Sequence, residues 1–303
     1  MGVFIVQKNN PVYVIAIIFL VILLFILSFF IVKLIASKND TLFNQESIAV
    51  VEVVGMIVDS TETIKQLHYA KDNDCIKAVV LRIDSPGGVV GPTQEIYEEI
   101  IKLKKIKPII VSMGSVAASG GYYISAPSNI IYANPGTITG SIGVLMKLAN
   151  VQVLLNKIGI KSFVLKSGEF KDSGSPVRPI TEREKKVMQG IIDNMHNQFV
   201  LAVANGRKLP VDKVREFADG RIFTGEQAKD IKLVDKLGNL QDAITEAANI
   251  TGIKEKPRII YPPKAKKSIL DLFIGGVSES FLKEITAKSG TIERFEYAIE
   301  SQQ

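Results

Sequence analysis

Histidine is nearly missing from this 303-residue sequence, which carries two, His68 and His196, together with one cysteine and no tryptophan. A single cysteine, Cys75, excludes an internal disulfide, and its place just before the apolar run Ile76 to Ile83 suits a strand edge. With so few histidine and cysteine ligands, no metal centre is expected. Hydrolytic chemistry, if present, has only two histidines to call on as a base. The formal charge of +6 comes from lysines and arginines scattered along the chain, without aromatic interleaving or a nucleic-acid motif. Nucleic acid is therefore not an expected partner.

Charge is also absent from one long run, Val12 to Val32, bounded by Lys8 and Pro11 before it and Lys33 after it. A helix of this length rises about 30 Å, the thickness of a bilayer hydrocarbon core. Tyr13 suits an interface. A cleavable signal peptide has a shorter apolar region, of about 7–15 residues, and a small-residue cleavage site that does not follow here, so a retained anchor is favoured. Lysine counts leave its orientation open, because Lys8 and the amino terminus oppose Lys33 and Lys38.

The organisation expected from these features is an anchor over residues 1–36 with its span at about 12–32, a polar linker over 37–47, a catalytic domain over 48–263 and a tail over 264–303. Within the domain, Ile48 to Val54 and Ala78 to Ile83 read as strands buried on both faces, being continuous in apolar, β-branched residues. Further strands are expected at Pro108 to Met113, Asn129 to Ala133, Lys161 to Leu165 and Arg258 to Tyr261. Helical patterns run from a cap at Ser60 through Ala70, from Gln94 to Lys104, from Thr181 through Ala204, from Val211 to Phe217 and from Leu240 to Ala248. This alternation predicts an α/β fold of βαβ units, with ligands at the carboxyl ends of the strands. The tail has an amphipathic pattern over Ile269 to Ile285 that fits the domain, a second copy or lipid equally well.

Two turns carry the chemistry. In Val111-Ser-Met-Gly-Ser-Val-Ala-Ala-Ser-Gly-Gly-Tyr-Tyr-Ile-Ser125 a β-branched run stops in small residues and restarts as a helix. Ser119 there could be a nucleophile, with N–H groups at the helix start facing developing negative charge, or simply part of a tight packing turn. Asp84-Ser-Pro-Gly-Gly88 offers backbone amides after a neighbouring strand. Ser85 is the weaker nucleophile candidate. A serine needs a base, and neither His68 nor His196 falls at a strand end. Desolvation can lower a lysine pKa far below about 10.4, and both Lys166 and Lys171 follow the expected strand at 161–165.

Taken together and in this order, Asp84-Ser-Pro-Gly-Gly88, Gly114-Ser-Val-Ala-Ala-Ser-Gly-Gly-Tyr-Tyr123, Thr139-Gly-Ser-Ile-Gly-Val144, Lys166-Ser-Gly-Glu-Phe-Lys171 and Asp219-Gly-Arg-Ile-Phe-Thr-Gly-Glu-Gln-Ala228 resemble the signal peptide peptidase A family in its short bacterial form. The resemblance implies a membrane-anchored serine peptidase with the repeated ββα units of the Clp protease and crotonase superfamily. It implies Ser119 as nucleophile, Lys171 as general base, Ser141 as a hydroxyl that holds the lysine amine, and Gly88 and Gly120 as oxyanion amides. It further implies hydrophobic peptides such as remnant signal peptides as substrates, no cofactor, a ring of subunits such as an octamer, and a catalytic domain outside the cytoplasmic membrane. A crotonase-like acyl-CoA enzyme and a noncatalytic membrane scaffold are the rival readings of the same fold. Lys232 departs from the pattern, standing where glycine is expected after a helix.

Overall fold

Strands that read as apolar along their whole length must be covered on both faces, and the three central strands of this protein are. The computed structural model describes residues 15, 18–31, 33, 45–254 and 256–264, and the backbone of 296–298. The chain divides into two units, Met1–Glu46 and Ser47–Gln303.

In the first unit, α1 (residues 18–31) exposes apolar side chains all round, and Ser28 Oγ is satisfied by donating to Phe25 O at 2.8 Å. Among the described residues no helix is long and apolar enough to cross a membrane. The expected span at 12–32 runs beyond this helix at both ends, into positions outside the described residues.

The second unit is built on one sheet in which β1 (Ser47–Val54), β2 (Ile76–Ser85) and β4 (Ile109–Ala118) run parallel. β9 (Arg258–Ile260) continues it beside β1. On one face Ala49, Val51, Val79, Leu81, Val111 and Met113 enter the main core; on the other Ile48, Val50, Ala78, Val80 and Ile110 form a smaller core. The larger face receives α2 (Thr61–Asp72), α3 (Val90–Lys104), α4 (Gly120–Ser125) and part of α6 (Glu182–Arg207), while α9 (Leu240–Thr251) covers the smaller one. Each Val, Leu or Ile removed from water in this way contributes roughly 1.5–3 kcal/mol. The expected parallel α/β architecture is present.

β4 is the strand on which the site depends, because it changes partner halfway. Its first half pairs with β5 (Ile130–Ala133) and its second with β6 (Ile138–Gly140). Between them the register with β2 slips, Ile83 facing Met113 and Ser85 facing Ala117, so β4 bulges. Asp84 closes that bulge: its Oδ1 accepts the Val116 N–H at 3.0 Å, and a Cβ on Gly114 would lie 2.7 Å from its Cγ.

Lys161 to Leu165 is not a strand, which corrects the sequence expectation. The outer edge of β6 is taken by the antiparallel β7 (Ile222–Thr224), so the stretch finds no ladder there. Phe163 and Leu165 are left 86% and 101% exposed. After β6 the chain passes through the short α5 (Gln152–Lys157) and an irregular stretch before Thr181 starts α6 with a reciprocal capping box to Glu184. Ser60 also departs from expectation. It makes no side-chain cap on α2, its hydroxyl being drawn to the Glu95 carboxylate, and Asp59 Oδ1 accepts the Thr61 N–H instead.

Beyond α7 (Val211–Arg215), α8 (Gly225–Asp230) ends on Lys232 at φ 64°. Lys232 N–H donates to Lys229 O and Leu233 N–H to Ala228 O, the paired bonds of a helix end that favours glycine at the left-handed residue. β8 (Lys236–Leu237) follows and pairs with β5. In the tail, β10 (Glu296–Ala298) pairs antiparallel with β3 (Gly87–Val89), Tyr297 opposite Gly88.

Candidate active site

Ser119 sits where β4 stops and α4 begins, with φ 52° and ψ −116°, a region that non-glycine residues rarely enter. The surroundings hold it there. Its N–H donates to Gly140 O at 2.8 Å, tying it to the end of β6, and its carbonyl accepts the Tyr123 N–H at 2.8 Å as the first bond of α4. α4 is itself pinned: Tyr122 is fully buried with its hydroxyl donating to Leu233 O at 2.9 Å, and Tyr123 packs between Tyr97 and Phe199. Burial pushes the Tyr122 phenol up and takes the Tyr97 phenol to about 12, so both remain neutral hydrogen-bonding groups. Such an over-determined outlier is the kind of backbone found at reactive turns.

Two glycines meet beside this serine. A Cβ on Gly120 would lie 3.0 Å from Thr93 Oγ1 and 3.2 Å from Gly88 N, and a Cβ on Gly88 would strike Ile57 O at 2.1 Å. Only residues without side chains allow β3 and the start of α4 to approach this closely. Ser85 shapes the same turn rather than reacting: it is fully buried, and its Oγ accepts the Gly87 N–H at 3.1 Å. Ser141 follows Gly140, whose carbonyl already binds Ser119. It is buried, holds φ 51°, and donates its own N–H to Arg221 O at 2.8 Å. Gly88, Gly120, Ser119 and Ser141 thus converge at the carboxyl edge of the sheet.

The two candidate lysines are not part of that cluster. Lys166 is committed elsewhere, its ammonium donating to the Asp172 carboxylate and, at 2.8 Å, to Glu169 O. Lys171 is exposed in the irregular stretch, and among the described residues its side chain forms no ion pair and no hydrogen bond to Ser119 or Ser141. Its backbone is fixed by N–H donation to Gly168 O at 3.2 Å. The histidines are placed as structural residues. His68 pairs with Glu99 at 2.8 Å on the surface, and His196 Nε2 lies 2.7 Å from Ala218 O. Among the described residues no group of three His, Cys, Asp or Glu side chains could hold a metal ion.

Sequence reasoning passed over two sets of residues. Asp84 is the brace of the bulge that aims β4, and the apolar run before it gave no sign of that. The second set is Asp172, Arg178 and Glu184 around the Lys171 turn, where Arg178 Nε meets Asp172 Oδ2 at 2.9 Å and Nη2 meets Glu184 Oε1 at 2.5 Å. Thr181-Glu-Arg-Glu184 gave half of the signal, as the start of a helical run, but not the arginine that reaches it.

Comparison with known proteins gives two family matches, "Peptidase family S49" over residues 101–254 and "Clp protease" over residues 35–131. A putative protease of Synechocystis is 44% identical over 211 residues, covering 69% of this chain and 76% of its own. A putative protease of Methanocaldococcus jannaschii is 33% identical over 280 residues, covering 87% and 90%. A putative signal peptide peptidase SppA of Enterococcus faecium is 38% identical over 215 residues, covering 66% and 62%.

Proposed function

The chain belongs to peptidase family S49, the signal peptide peptidase A family of the Clp protease superfamily, and is a serine peptidase; from that membership we propose that Ser119 is its nucleophile and Lys171 its general base. The observation that carries this reading is Ser119 itself, held at positive φ at the start of α4 with Gly88 and Gly120 against it. In the reaction, a neutral Lys171 amine takes the Ser119 proton as Oγ attacks a peptide carbonyl. The backbone N–H groups of Gly88 and Gly120 receive the oxyanion, and the lysine returns the proton to the departing amine. Water, deprotonated by the same amine, then releases the acyl group. Ser141 orients the amine. Lys166 is unsuited to the role because its ammonium already serves Asp172.

The substrates of this reading are hydrophobic peptides, remnant signal peptides among them. Support for an extended peptide comes from β10, whose backbone lies antiparallel along β3 with Tyr297 opposite Gly88. A substrate strand laid on the same edge brings its carbonyl to that glycine. The run at 12–32 is the membrane anchor, single-pass, with the catalytic domain on the extracytoplasmic side. The apolar exposure of α1 on every side fits a helix that meets lipid. Subunits close into a ring, such as an octamer, that covers the apolar stretch around Phe163 and brings Lys171 to Ser119.

The test is hydrolysis of a hydrophobic peptide by the full chain in detergent, comparing wild type with Ser119→Ala and Lys171→Ala. Loss of turnover in both supports the dyad. Normal turnover in either folded variant overturns it, and an acyl-CoA enzyme on this fold would keep its activity without Ser119.

A further inference from the structure

The Lys171 side chain has no partner among the described residues, yet the residue after it is one of the most heavily bonded in the structure. Arg178 grips Asp172 twice, by Nε to the carboxylate Oδ2 at 2.9 Å and by Nη2 to the backbone carbonyl at 3.1 Å. The same guanidinium turns its other edge to Glu184, Nη1 to Oε2 at 2.9 Å and Nη2 to Oε1 at 2.5 Å. Glu184, with a side chain 3% exposed, also accepts the Thr181 N–H at 2.8 Å and the Ser173 hydroxyl at 3.3 Å. Lys166 meets Asp172 from the other side, and Arg183 ties Glu169 at 2.7 Å while lying over the Phe170 ring.

These contacts join two unlike pieces of chain. One is the irregular turn 166–175, which has no ladder or helix to stiffen it. The other is the first turn of α6, a 26-residue helix whose far half is sunk in the main core through Phe199, Val200 and Val203. A planar guanidinium binding a carboxylate on each edge is a rigid link where a lysine would be a loose one. We propose that Arg178 is a positioning residue for catalysis, coupling the backbone on the carboxyl side of Lys171 to the buried helix α6 and so fixing where the base amine is carried. This rests on Lys171 being the base.

The experiment uses the full chain in detergent, with Arg178→Lys, Arg178→Met and Asp172→Asn beside wild type and Lys171→Ala. Ser119 acylation by a fluorophosphonate and peptide hydrolysis are followed on each, and folding by thermal unfolding. Misplacing a catalytic group costs rate rather than ground-state binding, so Arg178→Met is expected to lower kcat at least about tenfold with KM within about twofold, and Arg178→Lys to restore part of it. The split between kcat and KM, with partial rescue by Arg178→Lys, separates positioning from mere folding. Should Arg178→Met not fold, Asp172→Asn carries the same test. Folded variants with wild-type kcat overturn the proposal. So does a loss of activity explained wholly by the fraction unfolded. If Lys171→Ala stays active, it is the identity of the base that fails, a result distinct from either.

Discussion

Ser119 shows how little of a reactive residue lies in its own side chain. Its conformation is imposed by Gly140 on one side and the first bond of α4 on the other, and Gly120 after it lies close against β3. Substituting Ser119→Ala removes the proposed nucleophile while keeping this frame, so turnover is expected to fall by at least about a thousandfold with an unchanged unfolding midpoint. Gly120→Ala acts differently: the new Cβ, 3.2 Å from Gly88 N, pushes one proposed oxyanion amide from the other. Displacing such a donor lowers kcat by about a hundredfold, measurable on folded protein with the same peptide. At Lys232, by contrast, the left-handed residue of the α8 terminus carries a side chain that a glycine would lack. Lys232→Gly is expected to raise stability by about 0.5–1 kcal/mol in denaturant titration and to leave turnover alone.

At the scale of elements, the clamp around the Lys171 turn is sensitive to acid. The Arg178 guanidinium, and then Lys166, hold the Asp172 carboxyl down at about 2, and Arg178 together with the Thr181 N–H holds Glu184 well below the usual range. In the unfolded chain these groups titrate near about 3.9 and 4.3. Carboxylates depressed by folding stabilise the native state above those values and lose that contribution as pH falls through the folded ones. The gap in unfolding midpoint between wild type and Asp172→Asn is therefore expected to be full at pH 6 and to close between about pH 4 and pH 2. Both Arg178 and Asp172 are partly solvated, so the gap is a modest one.

The same scale explains what the sequence disclosed. β1, β2 and β4 were legible because burial on both faces writes one unbroken apolar run, and α6 because its apolar residues recur at helical spacing after Thr181. The Gly120 and Ser119 turn was legible as an abrupt change of period. Lys161 to Leu165 misled because it has strand composition, while the fact that decides it, β7 occupying the edge of β6, lies about 60 residues further on in the chain. The site was clear where it depends on backbone and obscure where it depends on distant partners. Arg178 looks like any surface arginine until the fold sets two carboxylates around it.

For the whole molecule, the feature to be explained is that the proposed nucleophile is finished and its proposed base is not. Ser119 is 1% exposed and fully braced, whereas Lys171 stands exposed on a stretch whose Phe163 and Leu165 point into solvent. Exposed apolar groups of this size mark a surface that another body covers. If that body is a second copy, the lysine of one subunit serves the serine of its neighbour, and each inactive variant holds the half the other lacks. Unfolding and reassembling Ser119→Ala with Lys171→Ala in equal amounts is then expected to restore about a quarter of wild-type turnover, since in a closed ring of random order one junction in four joins an intact serine to an intact lysine. If instead the stretch folds back onto its own chain, every subunit of the mixture lacks one member and turnover stays at background. A Phe163→Asp variant separates the two further: it breaks the assembly in the first case, with loss of both the large species in sedimentation and the activity, and leaves a fully active protein in the second.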